Sequence, residues 1–381
     1  MRILCVVPVP IPDADAPLLG PPDRDEVVHI TRGLKTAMQP DDGLAPLQAK
    51  VLAAVTASMT GYDIDLDALE PIGPVEFAQG LAGRDRRFRA EMVHLMDLGH
   101  MLLPVPDAAV ADRVIAFAAE LSLPTDSLHK AKALATGSAQ LVAADIDRGS
   151  YISQLDLSAF TPLRTEEDHV EAWTSTAVVP ELAAGWRALG DLGEGTLGRA
   201  VHDFYVARGF RFPGEPDSVP PLLAQHDWVH VLADYGSRLE AEIEVFAFMA
   251  RASDNPEAFA LLGMAITLFH TGLLPAAAGF FEADKGVLDL DGMPERLADA
   301  FRRGAMCTGS IDFLALDYFA MADRPIADIR REFNITPKSQ VARAAGSVGP
   351  FEPGGISESQ LEAGRRLAES RGHAYDAHGA R

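Results

Sequence analysis

The residues best placed to do chemistry lie in the segment PPLLAQHDWVHVLADYGSRLEAEIEVFAFMA, residues 220–250. His226 and His230 are four apart and Asp227 is three before His230, so a helix carries all three on one face. Two imidazoles at that spacing can share one divalent ion, and the carboxylate supplies a third ligand. A histidine pair also occurs on plain solvated helix faces, so the fourth donor matters. Three glutamates follow, and the pattern separates them. Leu239, Ile243 and Phe246 form an apolar stripe, and only Glu242 falls beside it; Glu240 and Glu244 are expected on the solvated side. An ionised carboxylate on a buried face needs a cationic partner. The candidate metal set is therefore His226, Asp227, His230 and Glu242.

One continuous helix cannot bring these residues together, because twelve residues at 1.5 Å rise put Glu242 about 18 Å along the axis from His230. The chain must reverse, and Tyr235-Gly236-Ser237 offers the means. Gly236 is expected to end the first helix in the left-handed conformation, and Ser237 with Glu240 reads as a capping box that starts the second. The predicted result is a helical hairpin. A divalent ion with an open position there acts as a Lewis acid on a carboxylate or phenolate; a filled tetrahedral shell is structural. Zinc suits these ligands but does no redox chemistry, and the oxygen donors leave iron and manganese open for an oxidative step.

Other candidates carry less. His202-Asp203 repeats the pair, but Val206 stands where a second histidine is needed. His94 and His100, six apart, do not share a helix face. Asp63, Asp65 and Asp67 lack the glycine and closing glutamate of a calcium loop and read as a solvated turn. Arg208, Arg211 and Arg303 could anchor an acidic group, with exposed arginine as the plainer reading. His270 is either a hydrogen-bonded core histidine or a residue lining a substrate channel.

Around the hairpin, helical periodicity dominates. Amphipathic runs occupy roughly 46–60, 84–103, 107–122, 125–146, 180–190, 195–208, 256–273, 293–303 and 308–322, with Asp107 as an N-cap. Alternating strand patterns are scarce, so the fold class is all-α, with two helical domains. An extended arm (1–45) precedes a helical module (46–150), a helical bundle carrying the hairpin (160–336) follows, and a tail (337–381) comprises a Gly/Pro linker, a short helix capped by Ser357 and Gln360, and a mobile end. Residues 258–281 carry no formal charge over a length that could span a bilayer, yet Thr267, His270, Thr271, Gly272 and Pro275 favour a buried helix and a break.

Across 381 residues, 33 Lys and Arg face 55 Asp and Glu, a formal charge of −22. Phosphate binding needs a basic stripe, so nucleic acid is disfavoured as a partner, and so is electrostatic docking on anionic lipid. Cys5 and Cys307 cannot build a disulfide framework or a cysteine zinc site, and they fit a cytoplasmic location. The first residues, MRILCVVPVPIP, resemble a signal peptide only until Pro8, Pro10 and Pro12 break the apolar run.

HDxxH followed by eleven residues and Glu resembles the signature of the ubiquinone (coenzyme Q) biosynthesis protein 4 family, carried here by His226, Asp227, His230 and Glu242. Three flanks are similar as well: Gly195-Thr196-Leu197-Gly198-Arg199-Ala200, Thr271-Gly272-Leu273-Leu274-Pro275, and the spacing of Pro325, Arg330 and Ile335. The resemblance spans about 160–336; the module before it faintly resembles TerB-like helical domains. It implies a divalent metal, zinc in the first place, and a role in isoprenoid-quinone biosynthesis. The implied reaction removes the ring carboxylate of a 4-hydroxy-3-methoxy-5-polyprenylbenzoate-like acid and hydroxylates the vacated carbon. It also implies proteins of a quinone-biosynthesis complex as partners, with peripheral membrane contact, and is compatible with a homo-oligomer. On that reading His270, Trp228 and Phe246 are candidate substrate-binding residues, and Phe248, Phe280 and Phe281 are further candidates for a prenyl tunnel. The competing readings are a non-enzymatic lipid-binding scaffold with a structural metal, and a hydrolase using metal-activated water.

Overall fold

The computed structural model describes residues 22–103, 105, 107–124, 178–216, 218, 221–253, 258–271 and 286–377. Helices dominate it, and the one β feature among the described residues is an isolated bridge between Thr196 and Pro325. The fold class is all-α, as the periodicity predicts.

The predicted hairpin is formed by Pro221–Leu232 and Leu239–Ala252. The second arm is buried on nearly every side and packs most extensively against Met293–Ala305, which in turn lies on Pro46–Thr60. The close approach of the first pair depends on Gly304, where a Cβ would stand 2.3 Å from the Phe248 carbonyl oxygen. One hydrophobic core therefore runs from Leu52 and Met96 in the first module to Phe248 and Phe301 in the second. Two polar contacts cross the same junction: Ser58 Oγ donates to Ala298 O, and Arg251 pairs with Glu91 at 2.9 Å. The described modules are thus continuous in packing; the expected boundary at 150–160, the helix at 125–146 and the first residues lie outside the described residues.

Four expectations need correction. The arm at 1–45 is not wholly extended, because Arg24–Met38 is a helix whose N-cap, Asp23, accepts from the Glu26 amide. It buries Val27, Ile30, Leu34 and Met38 along one apolar face. Residues 308–322 are mostly turns, with a single short 3-10 segment at Phe319–Met321. There the carboxylates of Asp312 and Asp317 accept from the amides of Leu314 and Ala320, competing with helical pairing.

The third correction concerns the Gly/Pro stretch 345–356. It packs against the hairpin turn: the amides of Gly236 and Ser237 donate to the carbonyls of Val348 (3.0 Å) and Gly355 (2.8 Å). A turn whose backbone groups are buried must find partners, and this segment supplies them. The fourth concerns the chain end, where Tyr375 donates to the Ala207 carbonyl at 2.8 Å and so holds the described end against Leu197–Arg208. The predicted helix after Ser357 is present as Glu358–Ser370, with its Ser357/Gln360 capping box.

No helix among the described residues is long and apolar enough to cross a membrane. Of the uncharged stretch, Ala258–Ile266 is α-helical and Thr267–Thr271 forms a π-helical turn. Residues 272–285, with Pro275, Phe280 and Phe281, lie outside the described residues.

Candidate metal centre

The hairpin brings the four predicted donors together. Glu242 Oε2 lies 3.2 Å from His226 Nε2 and 3.3 Å from His230 Nε2, and Asp227 Oδ1 lies 3.7 Å from His226 Nε2. The donor atoms of His226, Asp227 and His230 all fall within 4.8 Å of one another, so this group can hold a metal ion. His230 is fully buried, Glu242 and Asp227 nearly so, and His226 keeps a small exposed fraction. Two rings flank the imidazoles: Phe246 stacks on His226 with centroids 5.5 Å apart, and Phe204 on His230 at 5.6 Å.

The fit to a cation can be tested on His230. Its Nδ1 lies 2.6 Å from the Gly236 carbonyl oxygen, which can only accept, so Nδ1 carries the proton. In a neutral ring Nε2 is then a lone pair, and it faces a carboxylate oxygen. Two acceptors 3.3 Å apart need a cation or a second proton between them. A charge-assisted N–H···O bond is shorter, about 2.7–2.9 Å. Two donors held at about 2.0–2.1 Å by one tetrahedral ion stand roughly 3.3 Å apart, which matches both imidazole contacts. The residues fit a divalent ion.

Electrostatics agree. Burial pushes the Glu242 carboxyl up, but positive charge at His230 and at His226, with hydrogen bonds when the rings are protonated, outweighs it and holds the group well below its usual range, so the carboxylate is stabilised by positive charge at the imidazoles. Burial raises Asp227, against the pull of both imidazoles and of Tyr205. Two buried carboxylates beside two imidazoles are a burden that a divalent charge relieves.

The turn differs from expectation in its mechanics. Asp234, at φ 65°, takes the left-handed conformation, and Gly236 is required for proximity instead: a Cβ there would meet Gly355 O at 2.7 Å. Ser237 does not cap the second arm, whose N-cap is Arg238. Its hydroxyl accepts from Arg208 Nε at 2.5 Å and donates to Gln360 Oε1 at 2.8 Å. The last carbonyls of the first arm are taken by two arginines: Arg330 reaches Val231 and Leu232, and Arg303 reaches Ala233. Arg208 and Arg303 are therefore buried structural donors and not exposed head-group anchors; Arg211 is exposed. Glu244, expected in solvent, is buried and paired with Arg296 at 2.6 Å, while Glu240 is half-buried.

The remaining candidates separate. Phe246 touches the centre through His226. Trp228 points into the core between Trp186 and Tyr318, with the latter ring at 5.2 Å and nearly parallel. His270 is buried beside Leu102 and Asp289, and burial lowers its pKa. Asp203 of the second histidine-aspartate pair accepts from Arg199 and contacts His202, an ordinary surface cluster. Asp63, Asp65 and Asp67 are exposed, as a solvated turn requires.

Sequence reasoning missed one residue at the centre. Tyr205, fully buried, donates its hydroxyl to Asp227 Oδ2 at 2.5 Å. The signal was present: on Leu197–Arg208, Tyr205 follows Leu197 and Val201 along one apolar stripe, and a phenol on a buried stripe needs a partner. No protein-family model matches the chain, and no curated protein sequence does.

Proposed function

We propose that this chain is a metal-dependent protein of isoprenoid-quinone biosynthesis, acting on the ring of a polyprenylated 4-hydroxybenzoate-type acid. The observation that supports it is the convergence of His226, His230 and Glu242 at 3.2–3.3 Å with Asp227 beside them, the four positions through which the sequence resembles the coenzyme Q biosynthesis protein 4 signature. When bound there, a divalent ion supplies Lewis acidity toward a substrate carboxylate or phenolate oxygen. The chain's own part is to hold the donors. Gly236 fixes the His230 ring, Tyr205 fixes Asp227, and Phe204 and Phe246 cover the imidazoles. Zinc is the proposed ion. Hydroxylation of the vacated ring carbon draws on dioxygen as the oxidant, with iron or manganese at the same donors as the alternative to direct reaction of the electron-rich ring. Metal analysis of purified protein, combined with incubation of a prenylated 4-hydroxy-3-methoxybenzoate under oxygen, tests the reading. Carbon dioxide release by wild-type protein and its loss in Glu242→Gln supports it; no turnover by metal-loaded wild type overturns the enzymatic part.

The burial of the donors favours a second reading. A centre this enclosed suits a structural ion in a lipid-binding scaffold of a quinone-biosynthesis complex. Mass spectrometry of lipids extracted from the purified protein decides whether an isoprenoid belongs to either reading.

A further inference from the structure

We infer that Tyr205 is a positioning residue that keeps Asp227 a one-oxygen ligand and so preserves an open coordination position; this rests on the metal reading above. The two oxygens of Asp227 have different surroundings. Oδ2 accepts the Tyr205 hydroxyl at 2.5 Å, and Oδ1 faces the imidazoles, 3.7 Å from His226 Nε2. The phenol has no freedom to leave. Its ring is fully buried, stacked on Phe212 at 5.5 Å and tilted against Trp186 at 5.0 Å. It comes from Leu197–Arg208, a helix packed on the first arm and fixed at its own end by Tyr375.

A carboxylate can bind a metal through one oxygen or two. With Oδ2 held by a phenol, only Oδ1 is available. His226, His230, Glu242 and a one-oxygen Asp227 then make four protein donors, and an exogenous oxygen would enter by expansion of the ion to five-coordinate. With the phenol removed, Oδ2 is a buried acceptor without its donor, and because Arg208 is committed to Ser237, Phe204, Pro350 and Gly355, the ion at Oδ1 is the positive charge it can turn to. Asp227 then closes on the ion with both oxygens and fills the place that a substrate oxygen needs. Outer-shell hydrogen bonds of this kind orient a metal's ligands and set its reactivity.

The test uses full-length protein loaded with Co²⁺, whose visible bands report coordination number, and azide as a small exogenous ligand. Wild type is expected to bind one Co²⁺ and to change its visible spectrum on azide addition. Tyr205→Phe is expected to bind Co²⁺ with weaker bands and an azide response reduced at least tenfold in affinity. Identical spectra and azide affinities in the two proteins overturn the inference. If wild type takes up no Co²⁺ and no Zn²⁺, the metal reading itself falls, a different outcome from the first. X-ray absorption of the Zn²⁺ wild-type protein provides a check that does not depend on the variant's folding. One-oxygen carboxylates support the inference, and a carboxylate bound through both oxygens that Asp227→Asn removes overturns it.

Discussion

His230 and Gly236 are joined by a 2.6 Å contact from imidazole Nδ1 to carbonyl oxygen, across the turn that reverses the hairpin. A carbonyl has no proton to give, so the contact determines which ring nitrogen faces Glu242. The same residue donates its amide to the Val348 carbonyl. The tautomer of a candidate ligand is thus tied to a segment more than a hundred residues further along the chain.

Glu242→Gln keeps the shape of the side chain but removes the charge that both imidazoles face. Zn²⁺ at 100 times its Kd should stabilise wild type by about 2.7 kcal/mol. In the variant the affinity should fall beyond the roughly 10–100-fold typical of outer-shell changes, and the stabilisation at the same Zn²⁺ concentration should vanish. Calorimetry with and without a chelator measures both.

Gly355→Ala tests the segment that covers the turn. A Cβ at Gly355 would stand 2.0 Å from the Gly349 carbonyl oxygen, a backbone atom that cannot swing aside. The segment must shift, and with it the partners of Gly236 and Ser237. Metal affinity should drop about tenfold although no ligand is altered. Competition with a chromophoric chelator reads this, and circular dichroism verifies that the helices remain.

Arg303→Leu removes the donor shared by the Ala233 and Thr336 carbonyls. Both bonds are made by a fully buried guanidinium that also lies over the Tyr235 ring. Leaving buried carbonyls without donors should cost about 2–4 kcal/mol. Urea unfolding should show a lower midpoint with an unchanged slope.

Two groups on Arg86–Met101 titrate in opposite senses. Burial lowers the His94 ring to about 4, with Arg251 adding to the effect, and raises the Asp97 carboxyl to about 7. Between about 4 and the ordinary histidine value of about 6.5, the unfolded chain holds a proton on the histidine that the fold lacks, so that group makes stability rise with pH over this window. For the aspartate the fold holds the extra proton, so stability falls as pH rises from about 4 to about 7. In wild type the slopes offset each other. Asp97→Asn should leave stability that increases with pH over this range, and His94→Gln stability that decreases, as measured by denaturant unfolding at several pH values.

The hairpin and its four donors were legible because their information is local: an i, i+4 pair, an apolar stripe and a break between them. Helix limits such as Asp107 and Ser357 were local as well. What stayed hidden depends on distant partners. Glu244 looks solvent-facing until Arg296 arrives from another helix, and Ser237 looks like a cap until Arg208 and Gln360 claim its hydroxyl. Asp312 and Asp317 sit in an apolar rhythm that reads as helix, yet their side chains compete for the backbone. The helix Arg24–Met38 carries its own cap and stripe, obscured by the prolines on either side.

The contact from Val348 to Gly236 also has a consequence in time. The donors at 226–242 emerge from the ribosome well before the segment that fixes His230, by several seconds at about 5–20 residues per second. A nascent chain thus holds its histidines and acids before it holds their geometry. The spacing that suits a divalent ion is therefore a property of the folded chain and not of the hairpin on its own.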